Sequence, residues 1–377
     1  MQQKKYCAGM FFEEFCGLAG TEFPYGTEWF AHVPALLQEI VKIGGSHAQK
    51  YRDLVRTVDM DARKRSRPWV LDLGGGRTMP YSLEGRELHF VAHPSAYQSL
   101  DFVTDCFTEE ARMNSRRRDS LAPAVAFADP EVRQNLLADA YRAYAAGNPE
   151  TVPEPCTRSK ETMARFFLRQ SVYRNLKECG NFKVSFAAHI YKFFRSTRVL
   201  DPFAGWGDRA IGAALVPEVT LYVGVDSNPE LATGYRRIQD TFRNTTTLHF
   251  IVPQKFENAN IEDILFDMVL ASPPFFDLEI YGQGQGQCHN LTTTDEWVSG
   301  WLVPCLEKAI CSLRAGGFLV LYLCDTQRLA EKRYLGLCHD MLLQRNFWRI
   351  DFLGTIATLR EKDSRRVMPL FVYRKKC

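Results

Sequence analysis

The chain has 377 residues, of which 46% are hydrophobic and 24% charged, and its formal net charge is +3. This length exceeds what one compact core usually organises, so two domains are expected. The composition is that of a globular protein, and its apolar runs are shorter than the roughly 20 residues that a membrane-spanning helix needs. Because the N-terminus also lacks the pattern of a signal peptide, the sequence predicts an intracellular protein with no membrane partner.

The eleven cysteines are scattered along the chain and form no Cys-x-x-Cys pair. Structural zinc sites usually show that close pairing, so reduced thiols are expected rather than disulfides or a metal. His289 follows Cys288 and His339 follows Cys338, but neither pair has a second paired ligand nearby. The sequence therefore predicts no metal site.

The first part of the chain contains a helical pattern and a glycine-rich stretch. Apolar residues recur at helical spacing over 33–43, which predicts a helix. The stretch 69–76 resembles a nucleotide-binding turn, but Pro80 stands where a helix would begin and 88–92 then has the pattern of a strand. We therefore predict a β-hairpin or a strand connection here rather than a second cofactor site.

The segment 100–118 is rich in acidic and basic residues, which form either surface pairs on a helix or a part of the active cleft. A helix is predicted over 136–146, and the Gly/Pro-rich stretch 147–155 is the best linker candidate. We accordingly predict an N-terminal accessory domain at residues 1–160, which binds substrate in one interpretation, and a catalytic domain at 161–377.

Four clusters of basic residues bear on the partner. They are the runs at 63–67, 116–118, 365–366 and 374–376. Each alone is typical of a solvated surface, but together with the chemistry below they favour an anionic polymer as partner.

Strands and helices alternate after residue 180. The first predicted strand ends at Asp201, and the following strands span 221–226, 249–252, 266–271 and 318–324. The predicted helices span 185–194, 231–242, 297–313, ended by Gly316 and Gly317, and 335–343. Two last strands, 348–359 and 367–373, are joined by a charged turn at 360–366 and predict an antiparallel hairpin. This alternation predicts an α/β fold with a parallel sheet and helices on both faces.

The stretch from Arg198 to Arg209 runs from a strand through a turn with Gly205 and Gly207 into a helix. Such a unit opens a Rossmann-like nucleotide site, although a Gly-x-Gly pair alone is weak support. Asp226 ends the next strand, where a carboxylate can accept hydrogen bonds from both hydroxyls of a ribose. The three residues together predict a nucleotide cofactor.

The stretch Ser272-Pro273-Pro274-Phe275 directly follows an apolar strand. Two consecutive prolines can neither extend a strand ladder nor begin an ordinary helix, so they form a stiff turn. Its Ser272 hydroxyl and Pro273 carbonyl are acceptors, and the Phe275 ring offers a stacking surface. This arrangement suits a planar base that carries an exocyclic amino group.

The stretches Asp201-Pro-Phe-Ala-Gly-Trp-Gly207 and Ser272-Pro-Pro-Phe275 resemble the cofactor and catalytic motifs of S-adenosylmethionine-dependent nucleic-acid amino-methyltransferases. Their longer forms are most similar to phage- and virus-type adenine-specific enzymes, and Asn181-Phe-Lys183 resembles a segment that helps to enclose the cofactor. The resemblance covers about residues 175–376. It implies a Rossmann-like class I methyltransferase sheet with a C-terminal antiparallel hairpin, beside an N-terminal α+β domain.

The resemblance also implies the site residues. The cofactor S-adenosyl-L-methionine would be held by Phe182, Asp201, Phe203, Ala204, Gly205, Gly207, Asp226, Phe256 and Glu257. The target base would be held by the catalytic residues Ser272, Pro273, Pro274 and Phe275. The methyl group would pass directly to an amino nitrogen of DNA or RNA, and a base within a duplex would first have to be flipped out.

Alternatives remain at this point. The family more often has Asp or Asn where Ser272 stands, and Ser is commoner in the cytosine N4 enzymes, so adenine N6 is preferred but cytosine N4 stays open. Methylation of glutamine or of a small molecule is a second interpretation. A third is a catalytically inactive methyltransferase domain that binds RNA or a partner protein.

Overall fold

The computed structural model describes residues 10–26, 55–59, 70–92, 100–146, 159–261, 263–276, 278–281, 293–325, 334–359 and 367–377. Its strands are β1 (Val55–Asp59), β2 (Val70–Gly74), β3 (Arg77–Pro80), β4 (Leu88–Ala92), β5 (Arg116–Arg117), β6 (Arg198–Asp201), β7 (Leu221–Asp226), β8 (Leu248–Pro253), β9 (Phe266–Ala271), β10 (Glu279–Ile280), β11 (Leu313–Tyr322), β12 (Ile350–Leu359) and β13 (Val367–Lys375).

The described residues also form helices. The α-helices are Phe12–Ala19, Asp105–Asn114, Pro123–Ala128, Pro130–Ala145, Lys160–Asn175, Val184–Phe193, Asp208–Ala214, Ala232–Phe242, Thr294–Glu296, Val303–Cys311 and Leu335–Asn346. Three-residue 3₁₀ turns lie at Leu100–Phe102, Pro229–Leu231 and Phe256–Asn258, and a π-helical segment spans Trp297–Leu302.

The main sheet has nine strands in the order β1-β4-β12-β13-β11-β9-β6-β7-β8. The five strands from β11 to β8 are parallel, and β13 pairs antiparallel with both β11 and β12. All six residues of β9 are buried, as expected for a central parallel strand that is covered on both faces. The α/β class, the parallel sheet and the C-terminal antiparallel hairpin are therefore confirmed.

The order of strands reverses between β6 and β9. From β6 the chain moves outward to β7 and β8, and it then returns to place β9 on the other side of β6. In open α/β sheets such a switch point leaves a crevice at the carboxyl ends of the two strands, where ligands bind.

The hairpin prediction for the early glycine-rich stretch is confirmed. Strands β2 and β3 pair antiparallel around Gly75 and Gly76, which both have positive φ. The strand at 88–92 is also confirmed, but it joins the main sheet, because β4 pairs with β12. Residues from both ends of the chain thus form one sheet.

The predicted end of the helix at Gly316 and Gly317 is wrong. The helix stops at Cys311, and Leu313 already pairs with Phe266 of β9. Gly316, with a φ of 76°, lies inside β11, where the register shifts before Phe318. The glycines therefore accommodate an irregular strand rather than cap a helix.

Contacts divide the chain into two compact units. The first comprises the described parts of Met1–Gln38, Asp105–Gly180 and Glu279–Gly282, and the second those of Glu39–Thr104, Asn181–Leu278 and Gln283–Cys377. These units differ from two consecutive domains at 1–160 and 161–377, because β1 and β4 lie in the main sheet and the helix Lys160–Asn175 belongs to the first unit. The functional division at residue 160 stays a prediction.

The first unit has a helical core and a buried ionic network. Arg169 donates to Asp105 at 2.8 Å and to Glu109 at 2.7 Å, and Arg112 also pairs with Asp105. The Tyr173 hydroxyl donates to Glu109 at 2.8 Å. The four charged side chains are buried and Tyr173 is partly buried, so the interpretation of these acidic and basic residues as surface pairs on a helix is wrong.

Several sequence-based predictions fall outside the described residues. They concern the helix at 33–43, the linker at 147–155 and the charged turn at 360–366. Within the described ranges, none of the helices combines the length and the apolar character that crossing a membrane requires.

Candidate cofactor and substrate site

The two motifs predicted to carry the chemistry lie at the switch point of the sheet. Strands β6 and β9 are parallel neighbours, with Leu200 opposite Val269. Asp201 ends β6 and Ala271 ends β9, so the glycine turn and the proline turn leave the same edge of the sheet from adjacent strands. Neighbouring strands are about 4.8 Å apart, which brings the two turns together.

The glycine turn requires glycine at two positions. Gly205 has a φ of 56° and Gly207 a φ of 93°, in the region that other residues rarely adopt. A Cβ on Gly207 would also lie 2.5 Å from the Cδ1 of Ile238. The amide of Ala204 donates to the carbonyl of Val225 at 2.9 Å, which ties the turn to β7.

Asp201 lies beneath the turn and is completely buried. Its carboxylate accepts hydrogen bonds from Arg209 Nε at 2.7 Å, from the Tyr222 hydroxyl at 2.6 Å and from the amide of Phe203 at 3.2 Å. These contacts suit a residue that holds the turn from below rather than one that touches a ligand. Arg209 also donates to the carbonyl of Phe203.

Asp226 is partly buried at the end of β7 and faces the same turn. Its Oδ2 accepts from the amide of Gly205 at 2.7 Å, and its Oδ1 accepts from the amide of Asn228 at 2.9 Å. Burial raises the pKa of Asp226 to about 6, against the lowering effect of these two amides. A carboxylate has about four lone-pair sites, so capacity remains for two hydroxyl donors.

Phe182 lies in a segment held against the glycine turn. Its ring is 5.2 Å from the Arg209 guanidinium carbon. Asn181 donates to Asp208 at 3.1 Å, and Thr104 donates to the same oxygen at 2.7 Å. Sequence reasoning missed Thr104 and Asp208, and their roles depend on contacts between distant segments that no local motif signals.

Phe256 and Glu257 follow β8, as predicted. Phe256 is buried, and its ring lies 6.2 Å from that of Phe203. Glu257 is exposed and accepts a hydrogen bond from Trp301 Nε1 at 2.6 Å. Trp301 was not predicted as a site residue, and its ring lies 5.4 Å from that of Phe203 in the glycine turn.

The proline turn presents its residues at different depths. Pro273 is buried, while Ser272, Pro274 and Phe275 are partly exposed. The ring of Phe275 stacks on that of Tyr322 at 6.3 Å and 27°, and Tyr322 in turn contacts Phe182 edge to face at 5.0 Å. Tyr322 ends β11, and sequence reasoning missed its contact with the turn.

Within the described residues, no group of three or more His, Cys, Asp or Glu side chains is placed to hold a metal ion. Cys338 and His339 are both buried in the helix Leu335–Asn346. The Nδ1 of His339 is 2.8 Å from the Tyr373 hydroxyl, and burial lowers the pKa of His339. Cys288 and His289 lie outside the described ranges.

The strand order, with five parallel strands and an antiparallel hairpin beside them, defines a Rossmann-like α/β sheet. S-adenosylmethionine is the cofactor that the sequence resemblance implies. The residues at the switch point fit it. A turn that needs two glycines faces Asp226, and the buried Nδ2 of Asn228 has no hydrogen-bond partner among the described residues.

No family model matches the sequence, and no curated protein matches it. Solved structures match parts of it. A methyltransferase from Pyrococcus furiosus is 17% identical with a TM-score of 0.36, and the match covers 58% of this chain and 100% of that one. A putative rRNA-methylase from Clostridium thermocellum is 17% identical with a TM-score of 0.36, and the match covers 52% and 99%.

A third structure, TrmN from Thermus thermophilus, is 18% identical with a TM-score of 0.33, and the match covers 52% of this chain and 50% of that one. At these identities and TM-scores the likeness carries no argument about substrate. The fold assignment therefore rests on the order and direction of the strands.

Proposed function

We propose that this chain is an S-adenosylmethionine-dependent methyltransferase that acts on the exocyclic amino group of a nucleic-acid base, with adenine N6 as the preferred atom. The observation that carries the proposal is the position of the two motifs. The glycine turn after β6 and Ser272-Pro273-Pro274-Phe275 after β9 leave adjacent strands at the switch point of the sheet.

The proline turn would activate and orient the amino group. The lone pair of such a nitrogen is delocalised into the ring, so the free amine is a poor nucleophile. Hydrogen bonds from the amine to Ser272 Oγ and to the carbonyl of Pro273 would favour a pyramidal nitrogen. The ring of Phe275, held by Tyr322, would fix the plane of the base for attack.

The cofactor residues would hold the other reactant. When bound, S-adenosylmethionine supplies a methyl group on a sulfonium, and transfer breaks the sulfur–methyl bond, forms the nitrogen–methyl bond and releases one proton from the amine to solvent. Gly205 and Gly207 allow the backbone to approach the cofactor, and Asp226 accepts from its ribose. Asp201 positions the turn through Arg209.

Surface charge supports a nucleic acid as substrate. Arg116 and Arg118 are exposed in the first unit. The C-terminal cluster differs, because its basic residues are paired with carboxylates. Arg374 lies 3.6 Å from Glu84, and Lys376 lies 3.3 Å from Asp351. Residues 1–160, which include the exposed arginines, stay predicted as an accessory region that binds substrate.

The direct test is transfer of an isotope-labelled methyl group. The protein is incubated with labelled cofactor and DNA, capped RNA or uncapped RNA, and the nucleosides are then analysed by mass spectrometry. Labelled N6-methyladenosine or its deoxy form is expected. Labelled N4-methylcytidine would move the proposal to the other base, and label in no polymer would overturn it.

Variants of the proline turn test the assigned roles. Ser272→Ala removes one acceptor for the amine, and we expect the rate to fall by about 100-fold. Phe275→Ala is expected to weaken substrate binding further, because a stacked base loses about 1–3 kcal/mol. Calorimetry should show unchanged cofactor affinity in both. A double variant that transfers at the normal rate would contradict the proposal.

A further inference from the structure

We infer that Trp301 is a positioning residue that orients Glu257 to recognise the exocyclic amine of the cofactor's adenine. The inference rests on the proposed function, since it concerns the same cofactor. That Glu257 lies near the adenine was expected from sequence. The structure adds a device that sets the orientation of its carboxylate.

Trp301 belongs to the π-helical segment Trp297–Leu302, between two α-helical stretches. The amide of Val303 donates to the carbonyl of Val298, five residues earlier. Pro304 follows this segment and has no N–H to donate. Short π-helical segments inside α-helices are rare, and those that exist are often found at functional sites.

The indole of Trp301 contacts residues in the two loops that are proposed to hold the cofactor. Trp301 Nε1 donates to Glu257 Oε1 at 2.6 Å. The Trp301 ring lies 5.4 Å from the ring of Phe203 in the glycine turn and 5.7 Å from that of Trp297. One side chain therefore links the turn after β6 to the loop after β8.

The backbone of that loop is held independently. Lys308 Nζ donates to the carbonyl of Phe256 at 2.9 Å and to that of Glu257 at 2.7 Å, and it lies 5.3 Å from the centre of the Phe256 ring. With the backbone held by Lys308 and Oε1 held by Trp301, the carboxylate of Glu257 keeps one orientation. Its exposed Oε2 can then accept from a ligand.

The position matches the base end of a nucleoside. Strand β7 ends at Asp226, which faces the expected ribose, and its register partner on β8 is Pro253, just before the loop with Glu257. A carboxylate is only an acceptor, so it pairs with the amine of adenine and repels a carbonyl at the same place. Glu257 would thus distinguish adenine from hypoxanthine in the cofactor.

The test compares the dissociation constants of S-adenosylhomocysteine and its hypoxanthine analogue. We expect the wild-type protein to prefer the adenine form by more than about tenfold. Trp301→Phe keeps a ring against Phe203 but removes the donor, and this preference should fall severalfold. Trp297→Phe is the matched control from the same π-helical segment, because the buried Nε1 of Trp297 has no hydrogen-bond partner among the described residues. Its preference should stay at the wild-type value.

A second variant keeps the inference testable if Trp301→Phe is unstable. Glu257→Gln introduces an amide donor, which should strengthen binding of the hypoxanthine form and remove the preference. Unchanged preference in folded Trp301→Phe would overturn the inference, and unchanged preference in Glu257→Gln would remove its premise; both results would leave the proposed function intact. If the wild-type protein binds neither compound, the proposed function itself fails.

Discussion

Two carboxylates at the ends of neighbouring strands have different environments and therefore different roles. Asp201 is fully buried and bonded to Arg209 and Tyr222, so it acts as part of the scaffold. Asp226 is only partly buried, and its bonded partners are two backbone amides. The same residue type thus holds the turn at one position and, in the proposed function, accepts from a ligand at the other.

If Asp226 accepts from the cofactor's ribose as proposed, its raised pKa predicts that cofactor affinity depends on pH. The ionised carboxylate is the form that accepts two hydroxyl donors, and half of it is lost at about pH 6. We expect the dissociation constant of S-adenosylhomocysteine to be level above this pH and to rise by up to about tenfold per pH unit below it. Calorimetry between pH 5 and 8 measures this. A constant affinity over that range would contradict the role of Asp226.

The same shift has the opposite effect on the protein without cofactor. Because the folded-state pKa is raised, protonated Asp226 stabilises the folded chain. This contribution is complete below the ordinary carboxyl pKa of 3.8 and is lost as the pH rises through about 6. Cofactor binding above pH 6 would offset the loss.

Gly207 tests the strain in the turn. Gly207→Ala would place a methyl group near Ile238 Cδ1 and force a φ of 93° on a residue with a side chain. We expect about 1–3 kcal/mol of destabilisation, measured by urea unfolding, together with weaker cofactor binding. Gly17→Ala is the control, since it lies in the helix Phe12–Ala19 with no atom within 4 Å of an added Cβ. That variant should be as stable as the wild type or slightly more stable.

At the scale of elements, two helices of the first unit are joined by charge rather than by apolar contact alone. Asp105, Glu109 and Arg112 come from Asp105–Asn114, and Arg169 and Tyr173 come from Lys160–Asn175. The guanidinium of Arg169 also lies 4.7 Å from the centre of the Tyr173 ring. Every member of this set has a partner within it, so its stability depends on the set staying complete.

Removing one member should therefore be costly. Arg169→Met would leave Glu109 and Asp105 buried with one cation fewer, and we expect a loss of about 3–5 kcal/mol in the free energy of unfolding. Denaturant unfolding measures the loss. Lys160→Met, which removes an exposed pair with Glu14 from the same helix, should change stability little. Equal effects of the two changes would argue against the buried network.

Sequence patterns predicted those elements whose cause is local. The apolar run of β9, the glycine turn and the C-terminal hairpin all follow from short-range chemistry, and they were located correctly. The buried ionic network was not predicted, because a charged residue indicates a surface position unless its distant partners are known. The π-helical segment was not predicted either, since helical periodicity assumes 3.6 residues per turn. Asp226 and Phe275 stay site predictions, and Trp301 had no sequence signal.

At the scale of the whole molecule, the candidate site occupies only the centre of the sheet. The glycine turn, Asp226 and the proline turn all follow strands between β7 and β9. Beyond β13 the sheet continues through β12 into β4 and β1, which come from the early part of the chain. The extension adds strands on the side away from β7 and β8 and leaves the order around the switch point unchanged.

The pairing of β4 with β12 has a consequence for how the protein folds. His89, Phe90 and Val91 pair with residues 357–359, far along the sequence, so this part of the sheet closes a very long loop. Contacts of such long range form slowly, so β4 can join the main sheet only after β12 has been synthesised. Pulse-labelling hydrogen exchange during refolding should protect the amides of β6, β7 and β9 before those of β4. Phe90 also packs edge to face on His189 and Phe193, so the arrival of β12 completes the cover of a strand that earlier parts of the chain have begun to bury.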